Sequence, residues 1–126
     1  MMVVLDASAL LAFLHDEPGG GQVESELDGA VMSTVNWSEV VQKALQRGVD
    51  VCGIREDLQE LGMQIIPFSA KQAELAADLY EMARTHGLSL ADRACLALAL
   101  DSQASILTAD RVWQHLKLPL SIELIR

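Results

Sequence analysis

Five short apolar runs, rich in β-branched residues, recur along this chain with helix-forming segments between them: Val3–Leu5, Ala30–Ser33, Met63–Phe68, Ser105–Thr108 and Leu120–Ile125. Runs of this length read as buried strands. A strand that is followed by a helix and then by another strand calls for a right-handed crossover and a parallel pairing. The expected fold class is therefore α/β, a three-layer α/β/α sandwich with a mostly parallel central sheet.

The punctuation between the runs supports this. A helix opens at Asp6 and stops at Pro18-Gly19-Gly20-Gly21, and a second covers about Gly21–Asp28. Asn36 is the expected cap of a helix ending near Arg47, with Gly48 as its stop. Ile54–Leu61 forms another helix, ended by Gly62. Ser69 caps one long helix through Thr85, with Ala73, Leu75, Ala76, Leu79 and Met82 at helical spacing. Ser89 caps a helix over about Leu90–Asp101, and a short helix starts at Asp110.

A length of 126 residues fits a single domain. Such a chain buries roughly two-thirds of its unfolded surface and needs no disulfide or structural metal for its core. Cys52 and Cys95 lie far apart in helix-like stretches and read as free, buried thiols. No basic leader precedes an apolar run, and the longest apolar stretch, Ala94–Leu100, is far too short to span a bilayer. A soluble cytoplasmic protein is the expectation. The net charge of −9 argues against nucleic-acid binding on composition alone, and it suits a metal site or a basic protein partner.

Four carboxylates stand where strand hands over to helix: Asp6, Glu39, Asp92 and Asp110. In an open α/β sheet these handover points line one edge, where ligands bind. Oxygen donors with no histidine or cysteine among them suit a hard cation such as Mg²⁺ or Mn²⁺. Taken singly, each acid also reads as a helix cap. Asn36-Trp37-Ser38-Glu39 and Ser89-Leu90-Ala91-Asp92 even carry capping-box spacing. By contrast, Glu56, Asp57, Glu60, Glu74, Asp78 and Glu81 fall on polar helix faces and read as solvated. His15, His86 and His115 lie near helix ends. Gly19-Gly20-Gly21 lacks the Lys and Ser/Thr of a phosphate-cradling loop.

The order of these segments resembles the PIN-domain ribonucleases found as toxins of VapBC toxin–antitoxin pairs. The resemblance runs through Val3-Val4-Leu5-Asp6-Ala7-Ser8, then Asn36-Trp37-Ser38-Glu39-Val40, then Gly87-Leu88-Ser89-Leu90-Ala91-Asp92-Arg93-Ala94, then Leu107-Thr108-Ala109-Asp110. It implies a metal-dependent endoribonuclease that hydrolyses RNA phosphodiester bonds. On this reading Asp6 and Asp92 are direct ligands of Mg²⁺ or Mn²⁺, and Asp110 is a ligand directly or through water. Glu39 is a ligand or the group that orients and deprotonates water. Ser8 and Thr108 are hydroxyls that support the acids or cap helices. A small VapB-like antitoxin and a homodimer are the implied partners. Many relatives carry a further acid shortly after the fourth; here Arg111-Val112-Trp113 follows, so one metal site is more secure than two. Arg93 is expected to pair with an acid or to lie exposed, and Trp37 and Trp113 to pack.

Two other readings compete. A PIN-like module could bind protein without catalysis, its acids serving only as caps. A receiver-type phosphoacceptor also gathers acids at strand ends, but it needs a late Lys after a strand, and Lys117 precedes Leu118-Pro119 instead.

Overall fold

A computed structural model describes residues 2–126. Five strands form one sheet in the order β3-β2-β1-β4-β5: β1 Val3–Leu5, β2 Val31–Ser33, β3 Gln64–Ile66, β4 Ser105–Thr108 and β5 Ile122–Leu124. Every pairing is parallel, so the sheet is wholly rather than mostly parallel. Seven α-helices connect or cover it: α1 Ala7–Leu14, α2 Gly20–Glu26, α3 Thr34–Gln46, α4 Ile54–Glu60, α5 Ala70–Asp78, α6 Tyr80–Thr85 and α7 Leu90–Ser102. Arg111–His115 is a 3-10 turn.

The period of two along each strand sorts side chains to opposite faces. Val3 and Leu5 of β1, Met32 of β2 and Leu107 of β4 join α1, α2, α3 and α4 in one core. Val4, Val31 and Ile106 point the other way, into a core with Cys95, Leu96 and Leu98 of α7 and with Trp113. Two cores on either side of one sheet make the α/β/α sandwich. Trp113 is fully buried. Truncating it removes the largest side chain of the second core, so Trp113→Ala is expected to cost about 3–5 kcal/mol in a denaturant melt.

Several local expectations change. The helix assigned to a cap at Asn36 starts three residues earlier. Ser33 is its cap, accepting from the Val35 N–H at 3.2 Å, and Asn36 is buried inside the helix. The single helix from Ser69 to Thr85 is two, because Leu79 takes φ −82°, ψ −1° and turns the chain at the α5–α6 junction. Ala73 is exposed, while Gln72 occupies the buried side and donates to Asp101 at 3.4 Å. Cys52 is exposed in a turn, and only Cys95 is buried. The last strand is shorter than Leu120–Ile125.

The Pro18–Gly21 breaker has a packing role. Gly19 adopts φ +93°, and a Cβ there would lie 2.6 Å from the Ile125 carbonyl oxygen. This close approach brings the segment after β5 against the α1–α2 turn.

Candidate metal and active site

The strand order reverses direction between β1 and β4, which is the topological switch point of the sheet. Asp6 directly follows β1, and Asp110 follows β4 by one residue. Ser33 at the end of β2 starts α3, which carries Glu39. Asp92 sits in the first turn of α7. All four acids line one cavity of about 240 Å³, together with Ser8, Lys43 and Ser89.

Asp6 is the most constrained of the four. It is buried, and it caps α1 by accepting from the Ala9 N–H at 2.9 Å. Ser8 donates to its Oδ1 at 2.7 Å, and Thr108 donates to its Oδ2 at 2.6 Å. The same two hydroxyls accept from β4's exit: Ser8 from the Ala109 N–H at 2.9 Å, Thr108 from the Asp110 N–H at 3.0 Å. Both hydroxyls therefore tie the ends of β1 and β4 together around one carboxylate, and neither caps a helix. Burial raises the Asp6 pKa to about 6 against three lowering hydrogen bonds, and nearby Asp92 adds to the rise.

Asp92 completes a full capping box with Ser89: it accepts from the Ser89 N–H at 2.9 Å, and its own N–H donates to Ser89 Oγ at 3.1 Å. One oxygen is thus committed to the helix, and the other is not. Asp110 caps the 3-10 turn through the Val112 N–H at 3.0 Å. Glu39 differs from the other three. With α3 starting at Thr34, it lies beyond the first turn and makes no capping bond, so its capping-box reading falls. Its partner is Lys43 at 3.8 Å, one turn along α3.

Cys95 lies one turn beyond Asp92 and reports on the cluster. Burial pushes its thiol well above the usual range, and Asp6, Asp92 and Glu39 each push it further. Asp6 at the cap of α1, Glu39 of α3 and Asp92 of α7 thus all bear on one buried thiol.

Sequence reasoning missed Lys43 and the role of Asn36. The i,i+4 spacing of Glu39 and Lys43 was the available signal. Asn36 donates to the Ala91 carbonyl at 3.0 Å, fixing α3 against the start of α7 next to Asp92. Only the tertiary contact reveals that. Arg93 pairs with no acid: it donates to the Ala76 carbonyl at 2.9 Å and stacks over Tyr80, pointing away from the cavity.

The donor set is all oxygen, which suits Mg²⁺ or Mn²⁺ rather than zinc or copper. Among the described residues, no three acidic, histidine or cysteine side chains are drawn close enough to grip an ion as they stand. The four acids line the cavity without closing on one point, and Lys43 stands beside Glu39. The residue chemistry fits a hard cation, with side-chain rotation needed to close on it.

The fold is shared with solved structures. A toxin–antitoxin complex from Klebsiella pneumoniae contains a chain that superposes with TM-score 0.76 at 19% identity, over 98% of both chains. VapBC-1 from nontypeable Haemophilus influenzae gives 0.72 at 19%, covering 99% of this chain and 98% of that one. VapBC2 from Rickettsia felis, bound to a DNA fragment from their promoter, gives 0.64 at 20%, over 98% of both. At such identities the likeness is one of fold. No curated protein matches at a significant level. The PIN-domain family model matches residues 3–118, nearly the whole chain and a span that contains all four acids. This chain therefore belongs to the PIN-domain family.

Proposed function

We propose that this chain is a Mg²⁺- or Mn²⁺-dependent endoribonuclease acting as the toxin of a toxin–antitoxin pair. The observation that carries the reading is the meeting of Asp6, Glu39, Asp92 and Asp110 in one cavity at the sheet's switch point. Membership of the PIN family and the shared fold with VapBC chains support it.

Asp6, Asp92 and Asp110 would hold the cation, Asp110 directly or through water. When bound, a divalent ion lowers the pKa of water and offsets charge on the scissile phosphate. The chain's own groups do the rest. Ser8 and Thr108 hold both oxygens of Asp6, so the carboxylate cannot rotate out of place. Glu39, free of any capping bond, orients the attacking water and accepts its proton. Lys43 balances Glu39 and attracts phosphate to an otherwise acidic mouth.

The acidic chain suits a small antitoxin that presents a basic side chain to the carboxylates. The same reading includes a homodimer. Among the described residues no helix is long and apolar enough to cross a membrane, as a cytoplasmic toxin requires.

One observation favours a second reading. Three of the four acids make capping bonds, as they would in a non-catalytic protein-binding module. Calorimetric titration with MnCl₂ separates the two. The nuclease takes up cation with a heat that Asp92→Asn removes, while a pure binding module gives no heat in either protein. Bound cation should also raise the melting temperature of the parent chain. At a hundredfold excess over Kd the gain is about 2.7 kcal/mol, absent in Asp92→Asn.

A further inference from the structure

A chain of charge −9 must still bring a polyanion to an acidic cavity. Of its nine Lys and Arg residues, three gather in one place. Lys43 and Arg47, one turn apart on α3, and Arg126 beyond β5 line a second cavity of about 260 Å³ with His15 of α1. Ser8 and Lys43 border both this cavity and the carboxylate cavity, so the two adjoin. Of the other six, Arg55, Lys71 and Arg84 pair with Glu56, Asp101 and Glu81, Arg93 donates to the Ala76 carbonyl, and Arg111 and Lys117 line neither cavity.

We infer that this basic groove binds the phosphate backbone of the RNA strand and leads it into the carboxylate cavity. The inference rests on the nuclease reading and adds the substrate's path to it. Three features carry it. The groove adjoins the acids through a shared lysine. Its three cations come from two parts of the fold: Lys43 and Arg47 from the last turn and C-cap of α3, and Arg126 from the segment after β5, where Ile125 packs on Gly19. The one acid among them, Glu17, meets Arg47 at 3.8 Å and Arg126 at 3.4 Å. These are long contacts between half-exposed groups, of the kind worth little in water, so Glu17 can give way to phosphate, while Arg126 Nη1 also donates to the Pro18 carbonyl at 2.9 Å, which holds its guanidinium at the groove.

Phosphate contacts of this type confer affinity without sequence information. The net charge opposes non-specific binding over the rest of the surface, so the groove would confine RNA to one approach. Lys43, standing at the junction, would hold the phosphate next to the bond being cut.

The test uses the full chain carrying Asp92→Asn, which leaves the groove intact and removes cleavage. Fluorescein-labelled single-stranded RNA is titrated by anisotropy over a KCl series. Adding Arg47→Gln and Arg126→Gln together should weaken binding about tenfold and flatten the salt slope by roughly 1.4, two phosphate contacts' worth for a single strand. Arg84→Gln, on the distant α6, should change neither. In the cleaving parent the same pair should raise KM and leave kcat nearly unchanged. Unchanged affinity and slope in the double variant overturn the groove, while metal-dependent cleavage by the parent would still support the nuclease. Groove-dependent RNA binding without any cleavage by the parent supports the groove and removes the nuclease. Equal binding of polyglutamate of matched charge would make an acidic protein segment the occupant and overturn the RNA assignment.

Discussion

Asp92→Asn is expected to reduce Mg²⁺- or Mn²⁺-dependent RNA cleavage at least about a thousandfold, with the fold unchanged. A bound metal is worth several kcal/mol of transition-state stabilisation, and each 1.36 kcal/mol is a factor of ten in rate. The substitution is suited to the question because Asn keeps an oxygen for the Ser89 N–H. The capping box that opens α7 is thus preserved, and any loss of activity reports on the ligand and not on the helix. The measurement is initial cleavage rate at saturating MnCl₂, with circular dichroism and melting temperature to verify the fold. Full activity in this variant would remove Asp92 from the site. Glu39→Gln should also be severely impaired, yet a water-orienting Glu39 predicts that its cation affinity stays near the parent's, in contrast to Asp92→Asn.

The second large effect concerns stability and has the opposite sign. Asp6→Asn should abolish cleavage and make the metal-free protein more stable above pH 6. Burial raises the Asp6 pKa from an ordinary 3.8 to about 6 in the folded chain. Between about pH 4 and pH 6 the folded chain keeps a proton that the unfolded chain has released, so stability falls as pH rises through that window. Below pH 4 the carboxyl is protonated in both states and the penalty vanishes. Above pH 6 it is complete, roughly 3 kcal/mol. Asn carries no charge to bury, and its oxygen can still accept from the Ala9 N–H and from Ser8. The Thr108 hydroxyl turns to accept from the new amide. The variant should therefore melt higher than the parent at pH 8 and equal it near pH 3.5. Adding Mn²⁺ should narrow the gap at pH 8 by stabilising the parent alone. A variant that melts lower than the parent at pH 8 without metal would show that the Asp6 carboxylate is not under strain. The site thus carries a stability cost that is offset when cation arrives, a common bargain at functional positions.

The fold was legible in the chain because its strands are short, apolar and β-branched, and because glycines and capping serines separate the helices. Ser69 and Ser89 stand as caps where the sequence placed them, and Ser89-Leu90-Ala91-Asp92 forms the capping box its spacing announced. Where reading failed, a tertiary contact had overridden a local signal. Asn36 looks like a cap, yet Ser33 starts the helix and Asn36 is drawn inward to the Ala91 carbonyl. No glycine or proline marks the break between α5 and α6 at Leu79, and Leu79 and Met82, three apart, both pack on the second core as their helical spacing predicts. Arg93 neighbours Asp92 in sequence, but successive helical residues point in different directions, and it meets α5 and Tyr80 instead.

By itself the sequence determined the layers, the parallel sheet and the places of Asp6 and Asp110 just after strands, whereas Asp92 opens α7 after a helix–helix turn and Glu39 lies inside α3, so for these two the expected strand-to-helix handover does not hold. Those features follow from local periodicity and from apolar burial, which act over a few residues. Whether Asp6, Glu39, Asp92 and Asp110 meet was decided only by the order of the strands, because placing β1 beside β4 brings together residues a hundred positions apart. The same packing distinguished four acids that look alike as letters. Asp6 is buried and fully hydrogen-bonded, Asp92 and Asp110 are half committed to helix ends, and Glu39 is held by Lys43 alone. It also gathered Lys43, Arg47 and Arg126 along one cavity of a negatively charged chain, with Arg126 held by Glu17 and the Pro18 carbonyl next to the close contact of Ile125 and Gly19.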